Sequence, residues 1–163
     1  MALIATVGGA SSNSFGSEEE ADTFFEDRPQ FSEWIALKAT KESFLIAACD
    51  RLSQLSYQGR RSDVDQALPF PRIGVVVDGV EFDSDVIPSR IKAAQFKLAY
   101  LLSSQEAPLA DTGLEGFERL KVDVIEIVPR FSRPAGELPQ DVQREIRPFL
   151  SGTSAFQFRI ARG

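Results

Sequence analysis

The stretch from residue 57 to residue 91 constrains the fold most, because its prolines and one Asp-Gly pair fix the backbone at several points. Leu68 and Phe70 each precede a proline, which disfavours the helical region and predicts extended backbone there. Asp78-Gly79 lies between two β-branched runs and predicts a hairpin, because tight hairpin turns need positive φ. Pro88 suits the first position of a helix, where its missing N–H costs no hydrogen bond. The stretch therefore predicts a basic loop, an extended segment, a hairpin and a helix start.

Helical spacing of apolar residues predicts helices before this stretch. Ser17 and Glu20 have capping-box spacing and predict a helix that runs to about Asp27. Residues 31–37 predict a short helical turn, and Thr40 opens a longer helix. The short turn carries Phe31, Trp34 and Ile35 and is expected to pack on the first helix. On the two longer helices we expect Lys41, Asp50 and Arg51 outside, and the inward residues to be Ala21, Phe24, Phe25, Phe44, Leu45, Ala48, Leu52 and Leu55.

The helix that begins near Pro88 is apolar on more than one side. Ile91, Ala94, Leu98 and Leu101 recur along one face, whereas Phe96 and Tyr100 lie on others. A helix of this kind needs burial on more than one side. The pattern fits either the centre of a bundle or a subunit interface.

The C-terminal part predicts irregular segments around one strand and one helix. Residues 104–116 are rich in Gly, Pro and acid, and 133–136 resemble a linker. Residues 120–127 alternate as a strand whose parity switches, which predicts a bulge near Val124. Pro139 starts a helix carrying Val142 and Ile146 that is halted before Pro148.

The last residues, 151–163, alternate large apolar and polar side chains. Phe156, Phe158 and Ile160 would be exposed if the segment were a frayed terminus. Docking as a strand on another subunit is the alternative that we favour.

Together these patterns predict a mainly α fold: a small helical bundle with an inserted β-hairpin and short strands, and an extended C-terminal tail. A chain of 163 residues is long enough for one domain and too short for two ordinary ones. We expect a single domain over 1–163, with an N-terminal arm (1–16), a helical core with the hairpin (17–128), and a C-terminal helix and docking tail (129–163).

Composition argues against several functional classes. The chain has no histidine and no phosphate-binding or nucleophile motif, so we expect neither catalysis nor a cofactor. We expect no metal site either: turn chemistry explains Asp78, Asp83 and Asp85 better than calcium does. No apolar run approaches twenty residues, so no membrane span is expected. Cys49 is the only cysteine, which excludes an intrachain disulfide and favours a reducing compartment.

The charge is acidic but unevenly distributed. The net charge is −6, and residues 1–27 contain six acidic residues and no Lys or Arg. Tight nucleic-acid binders usually carry a net basic footprint. The candidate basic cluster consists of Arg60, Arg61 and Arg72. These arginines could bind a phosphate or the carboxylates of a partner. Alternatively, they are solvated loop residues, or they pair with Asp63, Asp65 or the acidic first helix.

An ordered set of short motifs resembles the head–tail connector (adaptor) proteins of tailed bacteriophages, a family often labelled DnaT-like single-stranded-DNA-binding protein. The family usually has Tyr where Phe15 stands and Trp where Phe70 stands. The matching residues are Ala2-Leu3-Ile4, Gly8, Asn13-Ser14-Phe15, Glu20-Ala21-Asp22, Phe24, Phe25, Trp34, Gly59-Arg60-Arg61, Gln66-Ala67-Leu68, Phe70-Pro71-Arg72, Gly74, Ile87-Pro88, Ile91, Ala94, Leu98 and Ala99.

The resemblance implies a non-enzymatic structural protein of the virion neck, assembled in the host cytoplasm. It implies a homo-oligomeric ring of twelve subunits that contacts the portal protein and a downstream neck or tail protein. DNA would pass through the lumen without sequence-specific binding, and no membrane would be involved. A single-stranded-DNA-binding replication protein is the alternative. The expected partner or subunit contacts are Arg60, Arg61, Phe70, Arg72, Phe96, Tyr100, Phe149, Phe156, Phe158 and Ile160.

Overall fold

The computed structural model describes residues 2–104 and 138–152, and the backbone of two short strands at 120–122 and 125–127. The predicted mainly α fold with an inserted hairpin is confirmed. No helix in the described part is long and apolar enough to span a membrane. The helices are α1 (Glu18–Glu26), α2 (Phe31–Ala36), α3 (Lys41–Ser53), α4 (Ser89–Ser104) and α5 (Gln140–Ile146), with 3-10 turns at Lys38–Thr40 and Arg147–Phe149. The strands are β1 (Arg60–Arg61), β2 (Arg72–Ile73), β3 (Val76–Val77), β4 (Val80–Glu81), β5 (Leu120–Val122) and β6 (Ile125–Ile127).

Helix α1 begins where the sequence predicts, because Ser17 and Glu20 cap each other. The Glu20 backbone N–H donates to Ser17 Oγ at 3.2 Å, and the Ser17 N–H donates to Glu20 Oε2 at 3.0 Å. Both orphan donors of the first turn are thereby satisfied. Ala21 and Phe25 are buried as expected, and Phe24 is half-buried against the core.

Helix α2 packs on α1 as predicted, with Trp34 in the core and Phe31 and Ile35 exposed. One expectation for the α2–α3 region is wrong. Lys41, expected outside, is buried at 4% exposure. Its ammonium lies against the Asp22 carboxylate of α1, so an ion pair offsets the cost of burial. Leu45, Ala48 and Leu52 are buried as predicted, although Phe44 and Leu55 are only partly so.

Helix α4 lies at the centre of the bundle, which is one of the two positions, bundle centre or subunit interface, that its sequence allows. It packs against α3 on one side and α5 on the other. Ile91, Ala94 and Leu98 are buried on the predicted face, and Phe96 on another face is 3% exposed. The apolar surface on several sides is thus covered by the chain's own helices.

A buried amide that the sequence did not single out joins α4 to the N-terminal arm. Gln95 Oε1 accepts from the N–H groups of Phe15 and Gly16 at 3.0 and 3.2 Å. Gln95 Nε2 donates to Ser14 Oγ at 2.6 Å and to the Leu45 carbonyl at 2.8 Å. All four hydrogen-bonding positions of this fully buried side chain are therefore used.

The predicted hairpin is present at β3–β4. Asp78 and Gly79 have φ of 53° and 81°, which is the positive-φ pair that a tight primed turn requires, and Val77 pairs with Val80. The preceding basic loop is not a loop throughout, because Arg60–Arg61 pairs with Arg72–Ile73 as β1–β2. Gly59 permits this pairing: a Cβ there would lie 2.2 Å from the Ile73 carbonyl oxygen.

The predicted bulged strand over 120–127 is instead two strands. β5 pairs antiparallel with β6, with Leu120 opposite Ile127 and Val122 opposite Ile125. The parity switch in the sequence therefore marks a chain reversal rather than a bulge. Helix α5 follows Pro139 with Val142 and Ile146 buried, as predicted. The predictions for 105–116, for 133–136 and for Phe156, Phe158 and Ile160 lie outside the described residues.

Candidate nucleic-acid interface

The three arginines singled out in the sequence are brought together on the β1–β2 ribbon, but they are not equivalent. Arg72 donates to four backbone carbonyls: Nε to Gln58 at 2.7 Å, Nη1 to Pro69 at 3.1 Å, and Nη2 to Gly59 at 2.8 Å and Tyr57 at 3.2 Å. Burial, and then the nearby charge of Arg61, lower the pKa of Arg72 below its ordinary value. The guanidinium of Arg72 therefore stabilises the ribbon through these hydrogen bonds.

Arg60 and Arg61 remain exposed on β1. Arg61 donates to the Gln66 carbonyl at 3.2 Å. Within the described part of the chain, neither arginine forms an ion pair with Asp63, Asp65 or α1. Their predicted contact role stays a prediction, and the ribbon is one surface that can reach a polyanion.

The aromatic residues predicted at contacts lie mostly inside the subunit. Phe70, Phe96 and Phe149 have exposures of 1%, 3% and 0%. Phe70 packs edge-on against Tyr57, with ring centroids 4.9 Å apart. In this conformation these three side chains are core residues with no surface to offer a partner. Tyr100 alone of the described aromatic candidates is half-buried at the surface.

Tyr100 belongs to a cleft that combines aromatic and charged side chains, which we call the aromatic–cationic cleft. Its volume is about 290 Å³. Helix α1 and the turn after it supply one wall, α4 supplies the other with residues at i, i+3 and i+4, and α5 closes one end. The lining residues are Phe24, Phe25, Arg28, Gln30, Lys97, Tyr100, Leu101 and Asp141.

The rings of the cleft form a connected aromatic cluster, in which Phe24 and Tyr100 are partly exposed and Phe25 is buried. The Phe24 and Phe25 centroids are 5.1 Å apart, and the Phe25 and Tyr100 centroids are 5.8 Å apart. The guanidinium carbon of Arg28 lies 3.6 Å from the centre of the Phe24 ring, and the same guanidinium donates to the Phe24 carbonyl. The Tyr100 hydroxyl donates to Glu33, and this hydrogen bond followed by burial raises the pKa of Tyr100.

Cations continue from the cleft along the surface shared by α4 and α5, which we call the α4–α5 face. Lys97 Nζ lies 2.6 Å from Glu145 Oε1, and Arg90 Nε lies 3.1 Å from Glu145 Oε2. Arg144 lies 3.6 Å from Asp141. Cleft and face together carry four cations, Arg28, Arg90, Lys97 and Arg144, against the carboxylates of Glu33, Asp141 and Glu145, so these groups have a small positive excess although the whole chain is acidic.

Glu145 is the carboxylate that holds two of these cations. Burial raises its pKa, but the hydrogen bonds from Lys97 and Arg90 and their positive charges outweigh burial, so the pKa lies below its ordinary value. Glu145 is therefore ionised at neutral pH and competes with any other anion for Lys97 and Arg90.

A family model described as "Putative DnaT-like ssDNA binding protein" matches residues 1–163. The chain belongs to this DnaT-like family. No curated protein matches the chain, and no solved structure does.

Membership of the DnaT-like family corrects the expected function. The family description names binding of single-stranded DNA, not a head–tail connector. The connector function is therefore wrong, and so is the neck, portal-binding and dodecamer description that came with it. The match supports the single-stranded-DNA alternative instead. The match does not test self-association, other partners, a location in the virion or the absence of catalysis. These stay predictions.

Most of the cleft is not predicted from the sequence. The sequence patterns predict Tyr100 at a contact and Phe24 in the core, and they give no role to Arg28 or Lys97. Two spacings in the sequence carry the signal: Phe24 and Arg28 are four residues apart, and Lys97 and Tyr100 are three apart. The second spacing places an aromatic and a cation on one face of α4, whereas Arg28 lies in the turn that follows α1. The proximity of the two pairs depends on how α1 packs on α4, which neither spacing specifies.

Proposed function

We propose that this protein binds single-stranded DNA, with the aromatic–cationic cleft and the α4–α5 face as the contact surface. The observation that carries the proposal is the cleft itself, where partly exposed rings lie beside cations at a concave surface. Sequence-independent binders of single strands combine these two elements: aromatic rings for base stacking and cations for the backbone. Membership of the DnaT-like family supports the same class of ligand.

The two partly exposed rings of the cleft, Phe24 and Tyr100, provide the base contact. A volume of about 290 Å³ lies at the low end for sites that hold a drug-sized molecule, which suits one base rather than several. Tyr100 is half-buried, so its ring is fixed by the core yet accessible from the cleft. Arg28, stacked on Phe24, presents a planar cation of the kind on which bases also stack.

The cations provide the backbone contact. Lys97 lies in the cleft, and Arg90 lies seven residues earlier on α4, on the same helical side. A strand with its base in the cleft would therefore run its phosphates along the α4–α5 face. Because the whole chain is acidic, we expect modest affinity that falls steeply with salt.

The exposed arginines of the β1–β2 ribbon offer a second location for the same function. The ribbon and the cleft are distinct surfaces, because no residue of β1 or β2 lines the cleft. The two locations predict different mutational profiles. Loss of binding on changing Arg60 and Arg61 alone would place the contact on the ribbon.

The test is fluorescence anisotropy of a labelled mixed-sequence oligonucleotide at low salt. We expect the wild type to bind and the Lys97→Gln, Tyr100→Ala double variant to lose about tenfold or more in affinity, because base stacking alone is worth about 1–3 kcal/mol. Arg51→Gln, a cation on α3 outside the cleft, is the matched control and should bind as the wild type does. Absence of binding by the wild type would overturn the function. An unaffected double variant would overturn the location.

A further inference from the structure

The polar residues at the rim of the aromatic–cationic cleft carry an inference that deepens the proposed function and depends on it. Besides its rings and cations, the cleft is lined by Gln30 and Asp141. Stacking alone treats all bases alike, because every base has a π-face. Side chains that accept or donate hydrogen bonds at the same place distinguish one base edge from another.

We infer that the cleft prefers cytosine, whose edge carries an exocyclic amino group, over thymine, and that Asp141 is the specificity-determining residue. An ionised carboxylate is acceptor-only, and it accepts well from the N4 amino group of cytosine. Thymine presents a carbonyl oxygen at the corresponding position, and its one ring donor, N3–H, lies between the O4 and O2 oxygens, which repel a carboxylate.

The position of Asp141 explains why a carboxylate is present in a cleft proposed to hold a polyanion. A negative group beside phosphates is unfavourable unless it gains a hydrogen bond from the ligand. Arg144, 3.6 Å away, offsets part of this repulsion, and both side chains are exposed, at 77% for Arg144 and 74% for Asp141. The carboxylate is therefore free to reorient towards a base.

Gln30 supplies the second polar group of the rim. Its side chain makes no capping bond to α2 and has no hydrogen bond within the described part of the chain. A glutamine amide both donates and accepts, so it adapts to the ring nitrogen and carbonyl of cytosine as readily as to adenine. Gln30 therefore supports base binding, whereas Asp141 sets the preference.

The experiment compares labelled oligo(dC) and oligo(dT) of equal length at neutral pH and low salt. Each bidentate or charge-assisted match is worth roughly tenfold in discrimination, so wild type should bind oligo(dC) roughly tenfold more tightly. Asp141→Asn should bring the two affinities together, and Asp141→Glu should retain the preference. Asp85→Asn, an exposed carboxylate beyond the hairpin, is the matched control and should leave the ratio unchanged.

The ratio of the two affinities separates this inference from the proposed function. Removing any negative charge strengthens binding to both oligonucleotides, but only a lost base contact changes their ratio. Equal binding of both by the wild type overturns the inference while the proposed function stands. A preference that survives in Asp141→Asn also overturns it. Binding of neither oligonucleotide overturns the proposed function, and the inference with it.

Discussion

Lys41 is paired with Asp22 at 2.7 Å although the lysine is almost completely buried. The Trp34 indole N–H donates to the same Asp22 oxygen, also at 2.7 Å, so one carboxylate joins α1, α2 and α3. Glu18 lies farther from the ammonium, at 3.6 Å. Asp22 is thus the main partner of two buried donors.

Asp22→Ala should therefore destabilise the fold more than Lys41→Met does. The alanine leaves a buried ammonium and a buried indole N–H without their acceptor, which costs about 2–3 kcal/mol. Methionine in place of Lys41 keeps the apolar stem and leaves an aspartate that still accepts from Trp34. Urea unfolding of both variants measures the difference. Equal or reversed losses would contradict the role given to Asp22.

Gln95→Leu should be among the most destabilising single changes in the core. Leucine is close in size but leaves the N–H groups of Phe15 and Gly16 buried without an acceptor. Each orphaned group costs about 1–3 kcal/mol. Gln54→Leu, at an exposed position just after α3, is the control and should change stability by about 0.5 kcal/mol or less. Thermal unfolding followed by circular dichroism compares the two, and similar melting temperatures would contradict the prediction.

Local signals in the sequence predicted the elements whose cause is local. The capping box at Ser17 and the Asp78-Gly79 turn act over four residues or fewer, and both lie where predicted. Pro139 likewise precedes α5. In each case the residue that specifies the backbone belongs to the element itself.

Long-range contacts account for what the sequence did not reveal. The sequence predicts Lys41 at the surface, because its partner Asp22 lies nineteen positions earlier and only the fold brings the two together. The sequence likewise does not show that Arg72 is hydrogen-bonded, because its four carbonyl partners are brought to it by the pairing of β1 with β2. The cleft is of the same kind, because its two walls are separated by some seventy residues in α1 and α4. Periodicity specifies which face of a helix is apolar, not which helix covers it.

Gly59→Ala should destabilise the protein more than Gly79→Ala. Both glycines have positive φ, of 73° and 81°, so alanine is strained at either. At Gly79 a Cβ meets nothing within 4 Å, whereas at Gly59 it lies 2.2 Å from the Ile73 carbonyl oxygen. We expect about 1 kcal/mol at Gly79 from the backbone alone, and more at Gly59 because β1 and β2 must separate. Chemical unfolding measures the stability of both variants. Equal losses would show that β1 and β2 can separate without destabilising the protein.

Glu145 should make stability fall at acid pH. Its pKa is lower in the folded protein than in the unfolded chain, so the ionised form stabilises the fold. This contribution is complete above the ordinary glutamate pKa, about 4.3, and is lost as the pH falls through the lower folded value. The free energy of unfolding of Glu145→Gln should therefore fall less than that of the wild type between about pH 6 and about pH 3, which is roughly the range in which carboxylates titrate. Parallel pH profiles of the two proteins would contradict the assignment.

The same substitution should strengthen binding of single-stranded DNA. Glu145 occupies Lys97 and Arg90 at 2.6 and 3.1 Å, so a phosphate must compete with it for both cations. Glutamine removes that charge while keeping the size of the side chain, and we expect a severalfold gain in affinity at low salt that shrinks as salt is raised. Glu81→Gln, an exposed carboxylate on β4 away from the α4–α5 face, is the control for net charge. If both substitutions raised affinity equally, the gain would reflect overall charge, and the phosphate path along α4 and α5 would be wrong.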